Sequence, residues 1–230
     1  MAHILLFLIS KNIPRRHTHM IRSAIKRRHR HQKRKTYCRA VAGARCRYIT
    51  ELCKEVFPAT SGKKKPPRRM EGQEMATLND VCDYIISKTA QDGLSLLKLQ
   101  KLLYYCQAWH LAFDKGPLFQ GRFQAWVHGP VNREIYDRFR DAKGLYDSVS
   151  SDDIRADFSY ETISVEQRAH IDAVLDVYCK FTGDQLEAMT HEEEPWITAR
   201  CGIPLHQRCE NQIDEELMKA CYKSRLPQNE

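Results

Sequence analysis

The sequence predicts a mainly α fold. It is read as a single compact helical domain with a small central β element, a short strand or hairpin, behind a disordered basic N-terminal extension. Three observations predict this. Apolar residues recur at helical spacing behind capping residues over most of 75–226. One stretch, 122–131, switches to alternation of apolar and polar residues, the period of a strand. Charge divides the chain: residues 1–69 hold 20 Lys or Arg against two acids, Glu51 and Glu55, and the remainder holds 17 against 27. The net charge of +8 is therefore the sum of a strongly basic segment and an acidic body.

The basic segment shows no sustained period. Its densest run is IKRRHRHQKRK at 25–35, residues 42–57 fit one short helix, and 61–70 combine Pro, Gly and like charges as linkers do. The expected organisation is an extension over 1–74, a domain over 75–226 and a tail over 227–230. Nucleic acid is a partner only through residues 1–69. Such contacts neutralise phosphates, depend on salt and read no sequence. Phe7, Tyr37, Tyr48 and Phe57 are too sparse for a base-stacking surface. The longest apolar run, ILLFLI at 4–9, is far short of the ~20 residues of a membrane helix. No charged stretch precedes it and no small-residue cleavage site follows, so no membrane partner is expected.

Within the body, Thr77 caps a helix carrying Val81, Ile85 and Ile86 on one face and ending by Asp92 and Gly93. Ser95 caps the next. Leu99, Leu102, Leu103, Cys106 and Trp109 form one stripe of it, and Leu97, Tyr104, Tyr105 and Ala108 a second. A helix apolar on two sides is a buried central helix. Gly116 and Pro117 end it. Phe123, Ala125 and Val127 then alternate with Gln124, Trp126 and His128, giving a strand with two unlike faces. Gly129 and Pro130 are read as breaking that strand, and Pro130 as opening a helix with Val131, Ile135 and Phe139 on one face and Gly144 as its C-cap. A second short strand is expected near 156–163. Ser164 with Gln167, and Thr182 with Gln185, are capping boxes ahead of two further helices. Pro195 opens a turn containing Trp196, and a last helix presents Ile213, Leu217 and Cys221 on one face.

Little in the chain carries chemistry. THEEEPW at 190–196 sets a His beside three carboxylates, but a zincin needs a second His where Pro195 stands. The same residues read as a helix start, Thr190 and Glu193 having capping-box spacing. Cys201, His206 and Cys209 match no common zinc spacing. His110 sits in the buried helix as a hydrogen-bonded core residue. His128, where strand meets turn, is the histidine placed for function. No triad or Gly-rich phosphate loop completes a site, so no catalytic residue, metal or cofactor is assigned and the protein is not expected to be an enzyme. Nine Cys are present without a C-x-x-C pair. Cys82, Cys106, Cys179 and Cys221 lie among apolar residues at helical spacing, as buried free thiols of a reducing cytoplasm do.

Three blocks in order, LSLLKLQKLLYYCQAWHLAFDKGPLFQGRFQAWVHGPVNREIYDRF, LEAMTHEEEPWITAR and IDEELMKACY, resemble the Panacea domain of SocA-like antitoxins and phage-associated GepA-type proteins. The resemblance spans 77–222. Its strongest parts are the stretches from Lys98 to Tyr105 and from Ala125 to Val131. It implies a non-enzymatic antitoxin that neutralises a cognate toxin by direct binding, or as an adaptor delivering it to a ClpXP-type protease. It also implies a family-motif core of Lys98, Leu99, Gln100, Lys101, Leu102, Tyr104, Tyr105 and Trp109. A partner-binding surface is expected at Trp126, His128, Gly129, Pro130, Val131, Tyr136 and Trp196. Family domains start near MATLNDV, so residues 1–69 or 1–74 are expected to precede the native start, which would fall at Met70 or Met75. The alternative is a nucleic-acid-binding regulator acting through its basic arm.

Overall fold

The computed structural model describes residues 76–226. The extension over 1–74, its short helix and linker, and the tail at 227–230 lie outside the described residues. Among the described residues, seven α-helices and one two-stranded antiparallel hairpin follow in chain order. Helix α1 is Leu78–Thr89, α2 is Leu96–Ala112, β1 is Phe123–Trp126, β2 is Gly129–Asn132 and α3 is Arg133–Phe139. Then come α4 (Val165–Tyr178), α5 (Gly183–Thr190), α6 (Glu194–Arg200) and α7 (Glu215–Lys223). The fold is mainly α with a small β element, as the periodicities predict.

Capping explains most helix starts. The Thr77 hydroxyl oxygen accepts the amide of Asp80, and the Asp80 carboxylate accepts the Thr77 amide in return, closing a capping box. Ser164 with Gln167 and Thr182 with Gln185 do the same for α4 and α5. Ser95 caps α2 alone.

All 17 residues of α2 are buried, and α1, α4, α5, α7 and the hairpin pack around it. Burying a helix on every side requires that its polar side chains find partners. Lys98 donates to the Cys179 carbonyl at the end of α4, a cation against exposed carbonyls. Gln107 accepts the amides of Leu118 and Phe119 and donates to the Phe119 carbonyl, holding the loop after α2. An aromatic cluster fills one side. Tyr105 stacks on Tyr178 at 3.9 Å, Trp109 meets Tyr222 edge-on at 5.2 Å, and the Trp109 indole N–H donates to the Tyr178 hydroxyl. Trp109 is thus core. His110 is buried too, its Nδ1 2.8 Å from the Gly116 carbonyl.

The structure corrects several local expectations. Pro130 does not start a helix: it lies inside β2, opposite Ala125. The Ala125 amide points away from β2 to the Asn211 carbonyl, so Ala125 and Pro130 form a non-hydrogen-bonded pair. The ladder therefore asks no N–H of Pro130. Helix α3 begins after Asn132, whose side-chain oxygen accepts the amides of Glu134 and Ile135. Gly144 is not its C-cap; α3 ends at Phe139, and the Gly144 amide binds Asp147 in the following turn. No strand forms at 156–163. Ser159 instead caps a 3-10 turn at Tyr160–Thr162, a local bond that competes with strand pairing.

Two further corrections concern the last helices. Thr190 and Glu193 form no capping box. Thr190 ends α5 and donates to the Glu187 carbonyl, and the Glu193 carboxylate is taken by the Tyr222 hydroxyl at 2.6 Å and Arg225 at 3.2 Å. Helix α7 buries Met218 and Tyr222, with Leu217 and Cys221 only half-buried, so its inward face is turned by one residue. Cys82 and Cys106 are buried thiols as expected, whereas Cys179 is half-buried.

An ionic clamp fixes the long loop between α3 and α4. Arg138 and Arg155 each place a guanidinium nitrogen 2.6 Å from Asp83, whose side chain is fully buried, and Arg155 reaches Asp80 at 2.6 Å. Arg138 also donates to the Asp153 carbonyl.

Candidate functional site

The hairpin is where the structure brings unlike chemistry to the surface. A two-stranded sheet has two open edges and is marginal alone. Here both edges are closed. On the β1 side, Ala125 donates to Asn211 and Phe123 accepts from Ile213, while the buried Arg200 donates to the Ala125 carbonyl. On the β2 side, the Gln100 side chain imitates a strand. It accepts the Asn132 amide at 2.9 Å and donates to the Asn132 carbonyl at 3.2 Å. Lys101 donates to the Pro130 carbonyl at 3.0 Å. The polar positions of the KLQK motif thus hold the hairpin and the end of α4 rigid.

Alternation along β1 sends Phe123 and Ala125 inward and leaves Gln124 and Trp126 half-exposed. The Trp126 indole N–H donates to Gln124 at 2.7 Å. Its ring meets Tyr136 edge-on at 4.7 Å, and the Arg133 guanidinium lies over both rings, 5.9 Å from Trp126 and 5.6 Å from Tyr136. One turn of α3 delivers Arg133 and Tyr136 to the same side, since residues three apart are neighbours on a helix. At the hairpin tip, exposed His128 approaches the Glu187 carboxylate at 3.3 Å, with exposed Tyr146 beside it at 6.4 Å.

Beneath the tip the packing is tight and polar. Gly129 has φ +88, and a Cβ there would lie 2.7 Å from both Lys101 Cε and Thr190 Oγ1. Lys101 is wholly buried. Burial lowers its pKa to about 7, against the pull of Glu187. His191 stacks on Trp196 at 4.2 Å, and its pKa too is lowered by burial. Trp196 is buried, donating its indole N–H to the Trp126 carbonyl.

The seven residues expected at a partner surface therefore divide. Trp126, His128 and Tyr136 reach the surface together. Gly129, Pro130, Val131 and Trp196 are buried beneath it. All eight motif residues from Lys98 to Trp109 are buried. Sequence reasoning missed Arg133, which lay three residues before a named tyrosine, and Glu187, which reaches His128 from a helix 59 residues on with no local signal. Among the described residues, no group of three or more His, Cys, Asp or Glu is placed to hold a metal, and no helix is long and apolar enough to cross a membrane.

A mainly α domain wrapped around a buried helix, presenting one braced hairpin, defines the class: a helical domain built around a displayed surface. Residues 99–197, from α2 through the hairpin and into α6, match the family model described as Antitoxin SocA-like, Panacea domain. The match supports an antitoxin role in general, and with it a toxin as partner in general. No curated protein and no solved structure matches the chain.

Proposed function

We propose that this protein is a non-enzymatic antitoxin that neutralises its cognate toxin by direct binding through the outer face of the hairpin. The observation that carries this reading is the Trp126–Arg133–Tyr136 assembly, half-exposed where α3 lies beside a hairpin whose two edges are closed. Trp, Tyr and Arg are the residue types that dominate binding energy at protein interfaces. Their mutual packing orders them before a partner arrives, which reduces the entropy lost on binding. His128 and Glu187 extend the face with a polar rim.

The test is co-expression with the product of the neighbouring gene, followed by binding of the purified pair. Trp126→Ala with Tyr136→Ala is expected to abolish growth rescue and weaken binding at least ~100-fold, as loss of two hot-spot aromatics does. The circular dichroism spectrum should stay that of the parent. Undiminished neutralisation by the double variant would overturn the assignment of this face. Neutralisation in a purified toxin assay without protease is expected. A requirement for a ClpXP-type protease would replace blocking by delivery.

A further inference from the structure

Helices α1 and α4, with the 3-10 turn before α4, enclose an open groove of about 370 Å³ lined by Tyr84, Lys88, Tyr160, Val165, Arg168 and Asp172. None of these residues belongs to the hairpin face. The groove's own carboxylate is already engaged. Asp172 accepts the Tyr84 hydroxyl at 2.9 and 3.0 Å and pairs with Lys88 at 3.5 Å. Lys88 also lies over the Tyr84 ring at 5.2 Å. Arg168 lines the groove with no ion pair or side-chain hydrogen bond among the described residues, and a guanidinium offers five N–H donors.

The rest of the lining is apolar and unusually open. Tyr160 is 47% exposed and Val165 72%. Tyr160 is held edge-on against Tyr84 at 5.8 Å and tilted against Phe158 at 5.3 Å, so its ring is ordered while one side stays free.

We propose that this groove docks an extended segment of a partner protein in which an apolar side chain adjoins a carboxylate. The carboxylate takes the Arg168 fork in two parallel hydrogen bonds, and the apolar side chain covers Tyr160 and Val165. Charge complementarity selects this occupant. A neutral segment would bury Arg168 without an acceptor, and a cationic one would be repelled by Arg168. The site stands independently of the hairpin reading, since the two share no residue.

The test uses the full ¹⁵N-labelled chain titrated with the peptide acetyl-Gly-Ser-Leu-Glu-Ser-Gly-amide. Two control peptides carry Gln for Glu or Ser for Leu. Amide shifts are expected to cluster at Tyr160, Val165, Arg168 and Asp172. Affinity should fall about ten-fold for either control and for Arg168→Gln, the size of a lost charge-assisted bond or a lost apolar anchor. Arg168→Lys should recover only part of it, keeping the charge without the fork. The amide spectrum reports the fold of each variant directly. Equal binding of the Gln peptide, or no shifts at these residues, overturns the proposal. So does a dimer that Arg168→Gln dissolves, which would give the groove to a second copy. Binding that appears only after removal of residues 1–75 would give it to this chain's own N-terminal segment, with the same consequence.

Discussion

Lys101 and Gly129 meet where the buried helix supports the hairpin tip, and each constrains the other. The Lys101 ammonium is buried against the Pro130 carbonyl, and its pKa falls to about 7 from an ordinary 10.5. Between these values the unfolded chain holds a proton that the folded chain has released. Stability therefore rises with pH across that window, by about 1.4 kcal/mol per pH unit at most. The buried tyrosines act in the opposite sense near pH 10, since burial raises their pKa values. The comparison that isolates Lys101 is thus wild type against Lys101→Met in urea melts at pH 7 and pH 9. The variant is expected to lose the upward slope. At Gly129, Ala would add a Cβ against Lys101 and Thr190 at a positive φ. Gly129→Ala is expected to cost about 2 to 4 kcal/mol in the same melts, from backbone strain together with overpacking.

At the scale of elements, a hairpin of four-residue strands survives because side chains from α2 act as its missing neighbour. Gln100 satisfies both backbone groups of Asn132. Gln100→Ala would leave a buried amide and carbonyl without partners, and should cost about 2 to 4 kcal/mol. The loss should be read first by hydrogen exchange at β1 and β2, ahead of the helices. A merely global destabilisation would accelerate exchange everywhere alike. The same bracing explains why a motif rich in Lys and Gln is buried: its polar atoms replace sheet and cap hydrogen bonds that short elements cannot supply themselves.

For the whole molecule, the clamp of Asp80 and Asp83 with Arg138 and Arg155 joins α1, α3 and the long loop. Burial alone would raise the Asp80 carboxyl, but hydrogen bonds from Thr77 and Arg155 outweigh it, and its pKa lies below the ordinary 3.8. The stabilisation is therefore complete above that value and is lost as pH falls through the lower folded value. Asp80→Asn is expected to show a smaller drop in melting temperature than wild type between pH 5 and pH 3. An equal drop would assign acid sensitivity to other carboxylates.

The amino-acid sequence by itself determined the helices, most of their starts and the central burial of α2. These rest on bonds three or four residues apart and on apolar period, which local reasoning sees whole. It also showed Trp126 on the strand face opposite Phe123, because alternation alone sets that. Tertiary structure decided the rest. Pro130 became a strand residue because its missing N–H falls on the side of β2 away from the ladder, where Lys101 and Gln100 approach. Glu193 left its expected cap because Tyr222 and Arg225, about thirty residues on, offer stronger partners. Trp196 was drawn inside by the Trp126 carbonyl, whereas Arg133 joined the exposed pair. Each of these outcomes turns on a partner distant in sequence, and no local pattern encodes which distant group will arrive.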